Sequence, residues 1–151
     1  MISLNLPTKA ALLDAVRARL TARQGFALAT INMDHMVKLH RSDSFRAAYA
    51  AHDLVCADGN PIVWLSRLAG HPVDLVPGSD MVVPMLQTAA ECGRSVAFVG
   101  STDETLEAAA TWAMQTVPGL IVVMRHAPAM GFDPKGDEAR RVLAELAARD
   151  V

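Results

Sequence analysis

Four short apolar runs, at residues 26–31, 54–57, 96–99 and 120–124, lack the polar alternation of a half-exposed strand. A strand can dispense with polar residues only when both of its faces are covered, as in a parallel sheet flanked by helices. Segments with helical periodicity separate these runs, so the chain reads as an alternating α/β protein. The fold class expected is a Rossmann-like three-layer sandwich with a mostly parallel sheet and right-handed crossovers. Its length of 151 residues predicts a single domain, 1–151.

The helical segments have recognisable starts and stops. The first is expected from Thr8 to about Ala22, with Leu12, Leu13, Val16 and Leu20 on one face and Gln24-Gly25 closing it. Residues 32–40 read as a helix with Met33, Met36, Val37 and His40 together. A short helix after Ser42 is expected to turn Phe45, Ala48 and Tyr49 inward. Asn60-Pro61 opens another helix, Asn as cap and Pro where no N–H is needed, carrying Ile62, Val63, Leu65 and Leu68 to about Gly70. Residues 72–77 read as a loop. Ser79 is expected to cap a helix over 80–92 that Gly93 stops. Ser101 and Glu104 have capping-box spacing before a helix that reaches Val117, where Pro118-Gly119 turns the chain. After a loop at 125–135, a final helix over 138–149 is expected to face Val142, Leu143 and Leu146 inward. Strand and helix alternate to the end, so a further strand is due, beginning at Asp150-Val151.

Composition excludes several classes of function. Apolar residues make up 52% and charged residues 20%, enough for a core and unlike a disordered chain. Net charge is −2 and no Lys/Arg run occurs, so no nucleic-acid partner is expected. The opening Met1-Ile2-Ser3-Leu4 is not followed by a signal-type apolar stretch, and no window has the roughly 18 apolar residues of a spanning helix. Cys56 and Cys92 lie in apolar surroundings without metal-like spacing, and read as reduced buried thiols of a cytoplasmic protein.

In such a sheet, ligands bind beyond the carboxyl ends of the strands. Those ends collect Thr30 and Asn32, then Asp58, Gly59 and Asn60, then Gly100 and Ser101, then Arg125 and His126. Helix starts after Asn60, Ser79 and Ser101 can aim free N–H groups at the same crevice, which favours phosphate. Asp58 is the one carboxylate among these strand ends. Other readings remain open. Asp58-Gly59-Asn60-Pro61 is also turn chemistry, with the carboxylate bonding nearby backbone, and Thr30 and Asn32 also suit a strand end and a helix cap. The five histidines are scattered and read as structural or solvated, and Trp64 and Trp112 as packing. There is no G-x-G-x-x-G, no G-x-x-x-x-G-K-[ST], no G-x-S-x-G, no Asp-x-Asp and no His/Cys cluster. Hence neither a cofactor nor a metal site is expected.

Order and spacing from Thr30 through Gly100 carry a resemblance. Thr30-x-Asn32, two short helices, Asp53-Leu54-Val55 leading to Ala57-Asp58-Gly59-x-Pro61-Ile62-Val63-Trp64, then Pro77-Gly78-Ser79-Asp80 and Phe98-Val99-Gly100 resemble the WecG/TagA/CpsF family of bacterial glycosyltransferases. The resemblance implies an inverting, metal-independent transfer of N-acetylmannosamine or a similar hexose. Donor and acceptor would be a UDP-sugar and a polyprenyl-diphosphate-linked sugar, in surface polysaccharide biosynthesis. It implies Asp58 as general base, with Thr30 and Asn32 near the acceptor, and Gly59, Asn60, Gly78, Ser79, Gly100 and Ser101 as substrate-binding positions.

Two departures from the family pattern stand out. Leu75 occupies the place of a usual arginine, and the family continues beyond this point with a strand and a G-x-P-x-Q-E motif. The chain therefore reads as lacking the family's C-terminal part, with homo-oligomerisation through the uncovered edge and a cytoplasmic location, peripheral at the inner face of the cell membrane, as expectations. A non-catalytic nucleotide- or sugar-binding α/β domain is the alternative that fits the same residues. A receiver-like domain fits less well, because Thr30-Ile31-Asn32 supplies no acidic cluster at a strand end.

Overall fold

The computed structural model describes residues 3–149. It is a mixed α/β chain that divides into two compact units, Met1–Met85 and Leu86–Val151. Each unit holds a small parallel sheet of two strands. The strand expected to begin at Asp150-Val151, like Met1-Ile2, lies outside the described residues.

The first unit contains helix α1 (Lys9–Thr21), strand β1 (Leu28–Ile31), helices α2 (Met33–Arg41) and α3 (Asp43–Ala50), strand β2 (Leu54–Ala57) and helix α4 (Asn60–Leu68). Helix α5 (Gly78–Glu91) begins in it. Thr8 starts α1 as its spacing requires, its hydroxyl accepting from Ala11 N at 3.1 Å. β1 and β2 pair in parallel, Leu28 opposite Leu54 through Ile31 opposite Ala57. β2 is buried throughout, and successive side chains serve opposite faces. Leu54 and Cys56 join Leu6, Leu12, Val16, Val76 and Met81 on one side. Val55 and Ala57 join Ile31, Leu39, Tyr49, Ile62, Val63 and Val73 on the other. Helical cover on both faces is thus what allows the run to be wholly apolar. The far edge of β2 is closed as well: Leu6 N donates to Val55 O at 3.3 Å, and Val76 N to Ala57 O at 2.8 Å.

The second unit contains strand β3 (Ser95–Val99), helix α6 (Asp103–Thr116), strand β4 (Ile121–His126) and helix α7 (Asp137–Ala148). β3 and β4 are parallel, with an irregularity between Val96 and Ala97. α6 packs on both strands through a buried stripe of Leu106, Ala110 and Ala113. Small residues on that stripe let the helix approach the sheet closely.

Several helical faces differ from the periodicity. Met33, Met36, Val37, Trp64, Leu65, Leu68, Trp112 and Leu143 are exposed, and so is Ala48. In α4 the apolar residues surround the helix, but the sheet covers one side only, which takes Ile62, Val63 and Ser66. Ser66 can be buried because its hydroxyl donates to Val63 O at 2.8 Å and accepts from Val73 N at 3.3 Å. In α7 the inward positions are Ala139 and Val142. No described helix is long and apolar enough to cross a membrane.

Cys56 is fully buried, at 0% exposure. Burial pushes its thiol up, and the charge of Asp58 adds to the effect. The thiolate is the reactive form, so Cys56 should resist iodoacetamide at pH 8 until the chain unfolds. Peptide mass mapping checks this; alkylation of native Cys56 at the rate of a free model thiol would show that β2 is not covered as described.

Candidate active site

β1 and β2 end in register, so the residues that follow them emerge side by side. Asp58 N donates to Ile31 O at 2.8 Å, which carries the ladder one step past β2. The Thr30 hydroxyl donates to Asp58 Oδ2 at 3.1 Å. A hydroxyl and a carboxylate 28 positions apart therefore meet on one rim. The contact is half-buried, where a hydrogen bond to a charged oxygen is stronger than in open water.

The turn out of β2 depends on Gly59, whose φ of +107° is a conformation that L side chains rarely adopt. Gly59 rather than Asn60 is the N-cap of α4, and no side chain caps that end. Asn60 is the first helical residue and is exposed. Gly78 approaches the same rim: a Cβ placed on it would lie 3.5 Å from Thr30 Cγ2 and 3.8 Å from Thr30 Oγ1. Helix α5 starts at Gly78, so Ser79 lies inside it instead of capping it, its hydroxyl donating to Asp80 Oδ1 at 3.3 Å. Asn32 caps α2, its side-chain oxygen accepting from His35 N at 3.0 Å.

Gly100 and Ser101 belong to the second unit. They take consecutive positive φ values, +129° and +57°, and Gly100 N donates to His126 O at 3.0 Å. Because Ser101 is left-handed it cannot act as an N-cap, which needs extended backbone. Thr102 does so instead, accepting from Thr105 N at 3.3 Å, so the expected Ser101–Glu104 capping box does not form. His126 Nε2 meets Glu138 Oε1 at 3.1 Å, and that oxygen also accepts from Ala129 N at 3.2 Å. Arg125 pairs with Glu107 at 3.0 Å.

Of the residues singled out by sequence, the first unit brings together Thr30, Asp58, Gly59 and Gly78. Two further residues had been passed over for the site. His35 Nδ1 lies 3.1 Å from Thr30 O and 2.9 Å from the Tyr49 hydroxyl, and that hydroxyl donates to Thr30 O. Burial pushes the Tyr49 phenol up, with the charges of Cys56 and then Asp58 adding. The available signal was that Tyr49 is the only tyrosine in the chain. The first unit also holds a cavity of about 620 Å³, walled by Ile31, Met36, Leu39, Ile62, Leu65 and Val73, which none of Thr30, Asp58, Gly59 and Gly78 lines. Among the described residues, no three His, Cys, Asp or Glu side chains are grouped to hold a metal ion.

Parallel strands ending together, with a hydroxyl-supported carboxylate just beyond them, form the setting in which α/β enzymes handle ligands. This chain belongs to the glycosyl transferase WecG/TagA/CpsF family, whose model matches residues 2–150. It is thereby a member of a glycosyltransferase family involved in surface polysaccharide synthesis. No curated protein matches the chain.

Proposed function

We propose that the chain transfers N-acetylmannosamine or a similar hexose from a UDP-sugar to a polyprenyl-diphosphate-linked acceptor, at the inner face of the cell membrane. The expected single Rossmann-like domain is the frame of this reading. The observation that carries it is the Thr30–Asp58 contact at 3.1 Å in a member of this family. Asp58 takes the proton of the acceptor hydroxyl as its oxygen attacks the anomeric carbon. The bond from that carbon to the diphosphate oxygen breaks, UDP leaves, and a single displacement inverts the configuration. Thr30, Asn32, Gly59, Asn60, Gly78, Ser79, Gly100 and Ser101 are the positions assigned to substrate. Backbone N–H groups at helix starts oppose the charge that grows on the departing diphosphate.

Transfer needs no divalent cation in this reading, which rests on the missing Asp-x-Asp. UDP release from UDP-N-acetylmannosamine with a short-chain polyprenyl-diphosphate-linked sugar tests both points. Turnover should be unchanged in EDTA. Activity lost in EDTA and restored by Mg²⁺ would overturn the metal-free step, and UDP binding with no turnover would favour the binding-domain alternative.

A further inference from the structure

We propose that Tyr49 and His35 are positioning residues: together they hold the Thr30 backbone carbonyl, and so the Thr30 hydroxyl, in place against Asp58. The role assigned to them in transfer rests on the reading of Asp58 as the base.

The backbone explains why Thr30 needs holding. Asp58 N bonds to Ile31 O, so by strand alternation the carbonyls of Ala29 and Ile31 face β2, and that of Thr30 faces the other edge of β1. Among the described residues, the sheet of the first unit consists of β1 and β2. The Thr30 carbonyl therefore finds its partners in side chains. The Tyr49 hydroxyl donates to it, and His35 Nδ1 lies 3.1 Å away.

The pair also defines its own protonation. The Tyr49 proton points at Thr30 O, so the Tyr49 oxygen offers His35 Nδ1 a lone pair at 2.9 Å. Both neighbours of Nδ1 are then acceptors. In the neutral ring Nδ1 carries the proton and Nε2 does not.

Local sequence puts the two rings where they are. Asn32 caps α2 through His35 N, which fixes His35 in the first turn. Helical side chains lean toward the N-terminus, so the His35 ring reaches back to Thr30. Phe45 and Tyr49, one turn apart on α3, pack edge-on to that ring with centroids 5.8 and 5.7 Å from it. Tyr49 is itself only 5% exposed, so little freedom is left to its hydroxyl.

The test combines a structural and a kinetic readout. With threonine methyl groups labelled, the Thr30 methyl of the unaltered chain should report one rotamer by NMR. Tyr49→Phe keeps the ring and its packing but removes the hydroxyl. It should shift the Thr30 methyl toward rotamer averaging and lower kcat roughly tenfold, the scale of one lost hydrogen bond. KM for UDP-N-acetylmannosamine should stay within about twofold, the mark of an interaction used mainly in the chemical step. His35→Ala should act in the same direction, and His35→Asn, which retains a donor near Nδ1, should restore most of the loss. In a Thr30→Val background Tyr49→Phe should cause no further drop, because its effect passes through Thr30. An unmoved Thr30 methyl with kcat unchanged, or full additivity with Thr30→Val, would overturn the proposal. If Asp58→Asn retained normal turnover while the Thr30 methyl still responded to Tyr49→Phe, the base assignment would fail and the clamp would stand.

Discussion

Asp58→Asn is expected to lower the rate of sugar transfer by about 100- to 10,000-fold, the usual consequence of losing a general base. An acceptor hydroxyl is a poor nucleophile until its proton has somewhere to go. The amide has nearly the shape of the carboxylate but cannot take that proton. The fold should be unaffected. The backbone bond from Asp58 N to Ile31 O at 2.8 Å does not involve the side chain, and the Thr30 hydroxyl can still donate to an amide oxygen. The check is UDP release at saturating donor, with circular dichroism to confirm folding. A folded variant with near-normal turnover would reduce Asp58 to a turn residue.

Leu12→Ala is expected to be the most damaging of the simple truncations for stability. Leu12 is fully buried at 0% exposure and packs with Val16, Leu54, Cys56, Val76 and Met81. Removing its branched end leaves a cavity under β2, a change that costs about 2–5 kcal/mol in comparable cores. That is a large part of the roughly 5–15 kcal/mol that holds a typical domain together. For a chain of this size it should lower the unfolding midpoint by roughly 5–20 °C. Leu143→Ala is the control: Leu143 is 65% exposed, and its loss should change stability by about 0.5 kcal/mol or less. Equal shifts for both variants in thermal denaturation would contradict this account of the core. Because Leu12 shares its core cluster with Leu54 and Cys56 of the strand that presents Asp58, Leu12→Ala should also weaken the site, although it touches no substrate.

The site was legible to different depths. Thr30, Asp58 and Gly78 could be named because each lies where an apolar run or loop changes into a helix, and such changes leave marks in sequence. The clamp from α2 and α3 was not legible. Nothing in the spacing of His35 and Tyr49 distinguishes a residue that bonds a strand carbonyl from one that only packs. The caps divided in the same way. Thr8 and Asn32 cap as their patterns suggest, whereas Thr102 displaced Ser101 because the chain leaves β3 through two left-handed residues. No pattern of residue types near Ser101 encodes that backbone choice.

The sequence by itself determined the elements and the direction of the strands. Short strands separated by helices pair in parallel, and β1 with β2 and β3 with β4 do so. The two-sided cover expected of apolar runs without alternation holds in full for β2 alone, while β3 has no buried residue and β4 only Met124. Only the tertiary structure decided which faces those helices turn inward. α4 is apolar nearly all round, so its periodicity could not choose between Val63 and Leu65; the single sheet beside it could, and left Trp64, Leu65 and Leu68 in the open. The tertiary structure also decided the orientation of Thr30. Its carbonyl points away from β2, and only folding brings α3 close enough for a tyrosine 19 positions later to meet it.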